Sequence, residues 1–158
     1  MDACEFNRIA EEYTDVVYRA TFSYCKNKSD AEDAVQNTFI KLLKTDTKFE
    51  DDEHIRKWLV KVAINECKNV WKSFWNRNIT FFDELEKEPE YLEPKEKELF
   101  EEVMKLSNKY SVVLHLYYYE GYNVKEIAQT LEITESNVQT RLMRARNKLK
   151  ERLQEAWI

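Results

Sequence analysis

The last segment of the chain, residues 134–153, distributes its side chains unevenly around a predicted helix. At about 100° per residue, one side collects the apolar residues Val138, Leu142, Ala145 and Leu149. The opposite side collects Ser136, Thr140, Met143, Arg144 and Asn147, flanked by Gln139 and Arg146 on one edge and by Arg141 and Lys148 on the other. Small groups between flanking cations are typical of a helix that reads base edges in the DNA major groove.

A short helix and a tight turn precede this segment. Asn123 followed by Glu126 predicts an N-cap with its reciprocal carboxylate. Ala128 is small enough to let two helices cross closely, Glu132 lies in the break, and Thr134 can cap the next helix. Together they predict a helix-turn-helix.

The distribution of charge is more informative than the net charge of −5. Residues 56–77 and 141–152 are strongly basic, and residues 83–102 between them are strongly acidic. Two basic patches joined by an acidic bridge could hold a polyanion in two places.

The cations of the last helix could also be ordinary solvated charges. A helix dipole disfavours cations near the N-terminus, so Arg141 and Arg144 are better explained by DNA contact. Lys150 and Arg152 lie near the C-terminus and are expected to be surface charges.

The composition predicts an all-α fold. One glycine and two prolines in 158 residues are too few for the turns of a sheet-rich protein. Three widely spaced cysteines, Cys4, Cys25 and Cys67, fit neither a disulfide framework nor a zinc site and are expected to be reduced. We predict no membrane span and no signal peptide, and we expect a cytoplasmic protein.

Two small helical domains joined by an acidic linker are predicted. Residues 1–77 contain three amphipathic helices, the second beginning at Ser29 in a capping box with Glu32. Its buried side chains are predicted to be Ala31, Val35, Phe39 and Leu42. Residues 78–94 form the linker, since they hold both prolines in an acidic run.

The second domain, residues 95–158, begins with two short apolar stripes. The first consists of Leu99, Val103 and Leu106, and the second of Val112, Val113, Leu116 and Tyr117. Gly121, the only glycine, is predicted to cap the helix end.

An enzyme is not expected. His54 and His115 lack suitably spaced cysteine or carboxylate partners, and one glycine cannot build a phosphate-binding loop. No cofactor or metal is therefore predicted. A stand-alone DNA-binding regulator is the alternative, although it would explain only the C-terminal half.

Several runs resemble the extracytoplasmic-function sigma factors, the smallest members of the primary-sigma superfamily. LSNKYSVVL (106–114), YYEGY (118–122), EIA (126–128) and VQTRLMRAR (138–146) look like region 4. DAEDAVQNTF (30–39) looks like region 2.2, and WLVKVAIN (58–65) looks like the start of the DNA-reading third helix. Both modules in this order around an acidic linker are specific to the family.

The resemblance implies a polymerase-binding surface and two DNA-binding surfaces. The residues that would bind the coiled-coil clamp of the largest polymerase subunit are Asp30, Glu32, Asp33 and Gln36. The −35 duplex would contact Ser136, Gln139, Thr140, Arg141, Met143, Arg144, Arg146 and Lys148. An anti-sigma factor that covers the DNA-binding faces is a further expected partner.

The connector at residues 48–54, with Lys48, Phe49 and His54, resembles the family loop that captures a base flipped from the −10 element. Phe49 could instead plug the core. The phosphates of the melted strand would be held by Arg56, Lys57, Lys61, Asn65, Lys68 and Lys72. Trp58 is expected in the core, whereas Trp71 and Trp75 fit either role.

Two residues depart from the family pattern, and the acidic linker fits two roles. Glu132 occupies a turn position where the family often has glycine because a positive φ is needed, so the turn is either strained or differently shaped. Gln139 replaces the usual Lys or Arg, which removes one phosphate or guanine contact. The acidic linker either threads toward the polymerase active-site channel or is a solvated tether.

Overall fold

The computed structural model describes the backbone of residues 1–75 and 94–156, and the side chains of residues 1–69 and 98–154. The chain divides into two compact units, Met1–Glu84 and Leu85–Ile158. Every regular element within the described ranges is helical, which confirms the predicted all-α fold. The predicted linker at 78–94 lies outside the described residues, apart from Pro94.

The first unit is a bundle of three helices, α1 (Ala3–Cys25), α2 (Lys28–Lys44) and α3 (Asp52–Trp75). Each helix packs against the other two. The main core cluster consists of Ile9, Tyr13, Val17, Leu42, Ile55, Leu59 and Ala63. Helix α3 also buries Val60 and Ile64 on a second face, because it packs against both other helices.

The junction between α1 and α2 differs from the prediction. Lys26 adopts a left-handed conformation with φ 59° and ends α1. Asn27 then caps α2, and its side chain accepts a hydrogen bond of 3.0 Å from the backbone N–H of Asp30. The predicted capping box at Ser29 was wrong, since Asn27 is also a strong cap former and reaches the first free N–H groups two residues earlier.

The second unit contains α4 (Pro94–Met104), α5 (Asn108–Leu114), α6 (Val124–Leu131) and α7 (Glu135–Ala156). Helix α4 begins at Pro94, one residue before the predicted domain boundary, and proline is favoured at a first helical position. The core of the second unit includes Leu106, Val113, Leu116, Ile127, Leu131, Val138, Leu142 and Ala145. Leu99, which was predicted to be part of an inner stripe, is exposed.

A π-helical turn, His115–Tyr119, continues directly from α5. It widens the helix by one residue per turn, so that the N–H of Glu120 bonds the carbonyl of His115 at 3.0 Å. Gly121 follows with φ +71°, as expected of the residue that terminates the helix. The sequence pattern did not predict the π turn.

Candidate nucleic-acid interface

The predicted helix-turn-helix is present as α6, a tight turn and α7. The Asn123 side chain accepts a bond of 2.8 Å from the N–H of Glu126, and the Glu126 carboxylate accepts one of 3.2 Å in return. Glu132 has φ 58° and ψ 45°, so of the two alternatives the turn keeps the left-handed conformation, which is strained for a residue other than glycine. The Thr134 hydroxyl accepts from the N–H of Asn137 at 3.0 Å, which caps α7.

The inner face of α7 is buried and the opposite face is open to solvent. Val138, Leu142 and Ala145 are buried. The exposed side chains predicted to touch DNA include Ser136, Gln139, Met143 and Arg144. Thr140 is half-buried, and its hydroxyl donates to the carbonyl of Ser136 at 3.0 Å. This arrangement presents polar, apolar and cationic groups on one surface.

The flanking cations of α7 are held by uncharged neighbours. Arg141 donates from Nε to the Asn137 amide oxygen at 3.1 Å. Lys148 places its ammonium 5.8 Å from the centre of the Tyr110 ring. Arg146 contacts tyrosines of the π turn. These contacts are made with an amide oxygen, aromatic rings and a phenol hydroxyl, and not with carboxylates.

Arg152 differs from these residues because it pairs with a carboxylate. Its Nε lies 2.9 Å from Glu102 of α4, and the ammonium of Lys105 lies 3.0 Å from the same side chain. The hydrogen bond from Lys105 and that from Arg152 lower the pKa of Glu102. The prediction of a simple solvated charge at Arg152 therefore missed this link between α4 and α7.

A groove of about 1060 Å³ opens on the surface of the second unit. Its apolar lining comes chiefly from α4, the π turn and the end of α7, and includes Leu99, Phe100, Val103, Tyr119 and Leu153. His115 forms part of the wall, where its Nε2 lies 3.1 Å from the Glu120 carboxylate. Sequence reasoning did not find this groove, since the π turn that shapes it left no clear signal.

The outer face of α2 changes character along its length. Glu32, Asp33 and Gln36, which were predicted to bind polymerase, are exposed near its N-terminus, and Asp30 is half-buried. Farther along, Ile40 and Leu43 are 41% and 58% exposed. These apolar residues were not singled out from the sequence.

The connector before α3 is folded against the bundle. Phe49 is half-buried on the main core cluster and meets Trp58 edge to face, with ring centres 5.5 Å apart. The Nδ1 of His54 accepts a hydrogen bond of 3.1 Å from the backbone N–H of Glu50, and the backbone N–H of His54 donates to the Asp51 carboxylate at 2.7 Å. Phe49 and Trp58 thus contact the core, while Lys48 is exposed.

The predicted cations of α3 lie along a partly covered face. Arg56 and Lys57 lie 3.4 and 3.7 Å from Glu53. Lys61, Asn65 and Lys68 are half-buried, while the side chains of Lys72, Trp71 and Trp75 lie outside the described ones.

Within residues 1–75 and 94–156, no helix is long and apolar enough to cross a bilayer. Among the described side chains, no group of three or more His, Cys, Asp or Glu could hold a metal ion.

Comparison with known families assigns both units. Residues 9–77 match the family described as Sigma-70 region 2, and residues 96–149 match Sigma-70, region 4. The chain therefore belongs to the sigma-70 family, whose members act in promoter-specific transcription initiation.

Its relatives place it more narrowly. It is 29% identical to the RNA polymerase sigma factor SigV of Bacillus subtilis, over 81% of this chain and 78% of the relative. It is 28% identical to the ECF RNA polymerase sigma factor SigM of the same organism, over 91% and 92%. The chain is an extracytoplasmic-function sigma factor, as its sequence resemblance indicated.

Two solved structures share the fold. The sigma factor RpoE of Bartonella quintana, in complex with the anti-sigma factor NepR, matches with a TM-score of 0.80 at 20% identity, over 95% of this chain and 97% of that one. CnrH, in complex with the cytosolic domain of CnrY, matches with a TM-score of 0.68 at 21% identity, over 98% and 90%.

Proposed function

We propose that this chain binds core RNA polymerase and directs it to promoters by reading the −35 duplex with α7 and capturing the melted −10 strand beside α3. The observation that carries the proposal is the outward face of α7. Helix α7 is the second helix of the capped helix-turn-helix, and its outward face presents Met143 and Arg144 between flanking cations. The chain itself is proposed to catalyse no reaction.

For the −35 element, the side chains near the middle of the outward face would meet base edges. Arg144 can donate two hydrogen bonds to a guanine, and the exposed Met143 can contact a thymine methyl group. Arg141, Arg146 and Lys148 would contact the phosphates on either side. Gln139 would contribute a neutral contact.

For the −10 element, we propose that the connector at 48–54 and the basic face of α3 hold the unpaired strand. The cations from Arg56 to Lys72 would neutralise its phosphates. Because Phe49 packs on the core, a flipped base would contact its outer edge or the neighbouring Lys48 and His54.

Core polymerase would bind the outer face of α2. Glu32, Asp33 and Gln36 are exposed on this face, so they can pair with a basic partner surface without unfolding the bundle. The prediction that residues 1–77, 78–94 and 95–158 are two domains and a linker is part of the same proposal.

An anti-sigma factor is the proposed regulatory partner. RpoE of Bartonella quintana, which shares this fold, was solved in complex with the anti-sigma factor NepR, and CnrH, which also shares it, was solved in complex with the cytosolic domain of CnrY. The apolar groove of the second unit and the exposed Leu43 are surfaces suited to protein contact. We propose that the complex forms in the cytoplasm.

The function is tested by transcription in vitro with bacterial core polymerase on a library of randomised promoters. The expected result is enrichment of a bipartite promoter, which depends on the added chain. Asp33→Lys should abolish holoenzyme assembly, whereas the same charge reversal at the exposed Asp15 of α1 should not.

Gel shifts with and without core polymerase test the alternative function, a stand-alone DNA-binding regulator. Specific binding to duplex DNA by the chain alone, with no assembly on polymerase, would favour a stand-alone regulator.

A further inference from the structure

The exposed side chain of Arg146 contacts two tyrosines of the π turn. Its Nε donates to the Tyr118 hydroxyl at 2.6 Å, although 28 residues separate them in sequence. The guanidinium carbon lies 5.3 Å from the centre of the Tyr117 ring and 5.4 Å from that of Tyr118. The two rings meet edge to face with centres 4.9 Å apart. Arg146 is therefore held in one orientation.

These contacts orient the guanidinium without pairing it with a carboxylate. A tyrosine hydroxyl and the faces of two rings stabilise a guanidinium while leaving its charge intact. Arg152, six residues farther along α7, is instead paired with the carboxylate of Glu102. A cation held by tyrosines, as Arg146 is, keeps its full attraction for an external anion, whereas a cation paired with a carboxylate, as Arg152 is, does not.

The remaining donors of Arg146 fit an oxyanion. A guanidinium has five N–H donors, and Tyr118 accepts the one on Nε. The two terminal nitrogens keep four N–H groups in a planar fork, which matches two phosphate oxygens. Arg146 is an exposed residue, so an anion can reach this fork.

The exposure of Tyr118 also needs an explanation. The residue is 62% exposed and, like Arg146, belongs to the lining of the apolar groove, so its position is not explained by burial. Its hydroxyl contacts Arg146 on the flank of α7 that also carries Gln139, two turns upstream. That flank borders the outward face proposed to enter the major groove, where the nearest anions would be DNA phosphates.

We propose that Tyr118 is a positioning residue, which fixes the guanidinium of Arg146 to receive a backbone phosphate of the −35 duplex. The inference rests on the proposed function. It adds a residue from the π turn, outside the helix-turn-helix, to the machinery that binds DNA. Tyr117 supports Arg146 through its ring alone.

The test measures binding of holoenzyme to the promoter selected in vitro, over a range of salt concentrations. Arg146→Ala should weaken binding to specific and unrelated duplexes alike, and should reduce the slope of log affinity against log salt by about 1. Tyr118→Phe removes only the hydroxyl and should weaken binding roughly two- to tenfold. Tyr117→Phe, which keeps the ring that contacts Arg146, is the matched control and should bind like the parent protein.

The combination Tyr118→Phe with Arg146→Ala separates positioning from a general structural role. If Tyr118 acts through Arg146, the double variant should bind DNA as the single Arg146→Ala variant does. An additional loss in the double variant, or an unchanged salt slope for Arg146→Ala, would overturn the inference. A loss of assembly with core polymerase, instead of a change in salt slope, would show that Arg146 meets a protein carboxylate. If the parent chain fails to support promoter-dependent transcription, the proposed function itself fails, and this result is obtained before any variant is compared.

Discussion

The ammonium of Lys41 on α2 forms an ion pair with the carboxylate of Glu66 on α3. The side chain of Glu66 is only 10% exposed, whereas that of Lys41 is 54% exposed. The exposed ammonium of Lys41 therefore pairs with a nearly buried carboxylate where α2 and α3 pack together. It connects the helix proposed to bind polymerase with the helix proposed to bind the −10 strand.

Replacing Lys41 with methionine should destabilise the first unit by about 1–2 kcal/mol, because a nearly buried carboxylate loses its partner. Urea unfolding followed by circular dichroism measures the change. The same substitution at the exposed Lys44, in the last turn of α2, is the control and should have little effect. Equal stabilities of the two variants would show that water solvates Glu66 adequately.

The cap of α6 should matter more than the cap of α5. Asn123→Ala should lower the free energy of unfolding of the second unit by about 1 kcal/mol, because the N–H of Glu126 loses its acceptor. Ser107 occupies the equivalent position of α5 but makes no capping hydrogen bond through its side chain. Ser107→Ala should therefore be nearly neutral in the same urea titration. A reversed order would contradict the capping geometry.

Glu132→Gly should stabilise the turn of the helix-turn-helix. A side chain at φ 58° costs about 1 kcal/mol relative to glycine, which adopts positive φ readily. The variant is expected to raise the melting temperature, as measured by differential scanning calorimetry. Glu151→Gly, within α7, is the opposite control and should lower it. A lower melting temperature for Glu132→Gly would mean that the glutamate makes compensating contacts.

The three thiols should react at different rates. Cys4 is exposed, whereas Cys25 and Cys67 are buried. Burial raises the pKa of the Cys67 thiol, so less of the reactive thiolate is present at neutral pH. A disulfide reagent should modify one thiol rapidly in the native protein and two more only in denaturant. Cys4→Ser should remove the rapid phase, and fast modification of Cys67 would contradict its burial.

Arg144→Ala should weaken binding to the selected promoter by about 1–3 kcal/mol and relax the preference at one base pair of the −35 element. Lys150→Ala removes the same charge from a residue expected to remain in solvent, so it should leave the base preference intact. Binding measured on promoters with single base changes separates these effects. An unchanged preference in Arg144→Ala would exclude base reading by this residue.

The helix-turn-helix was predictable because its signals are local. Asn123, Glu126 and Thr134 are cap formers at the required spacing between two amphipathic segments, whereas a positive φ at Glu132 was suggested only by the glycine that the family often has there. The all-α fold was equally accessible, since the chain has few residues that make tight turns.

The structural features that the sequence did not predict depend on contacts between residues distant in the chain or on competition between neighbouring cap residues. Tyr118 lies in the π turn and Arg146 in α7, 28 residues apart in sequence, and no spacing rule connects them. Asn27 and Ser29, two cap formers separated by one residue, compete to begin α2, and the left-handed Lys26 that ends α1 directly precedes the first. Leu99 resembled a core residue because the groove beside it could not be anticipated.

The mixed outer face of α2 has a consequence for handling the purified chain. Ile40 and Leu43 would attract copies of the same surface, while the acidic end of the helix and the net charge of −5 keep the molecules apart. Acidification or high salt weakens that repulsion without hiding the leucine. The isolated protein should consequently self-associate under those conditions, and a bound partner that covers α2 should prevent it.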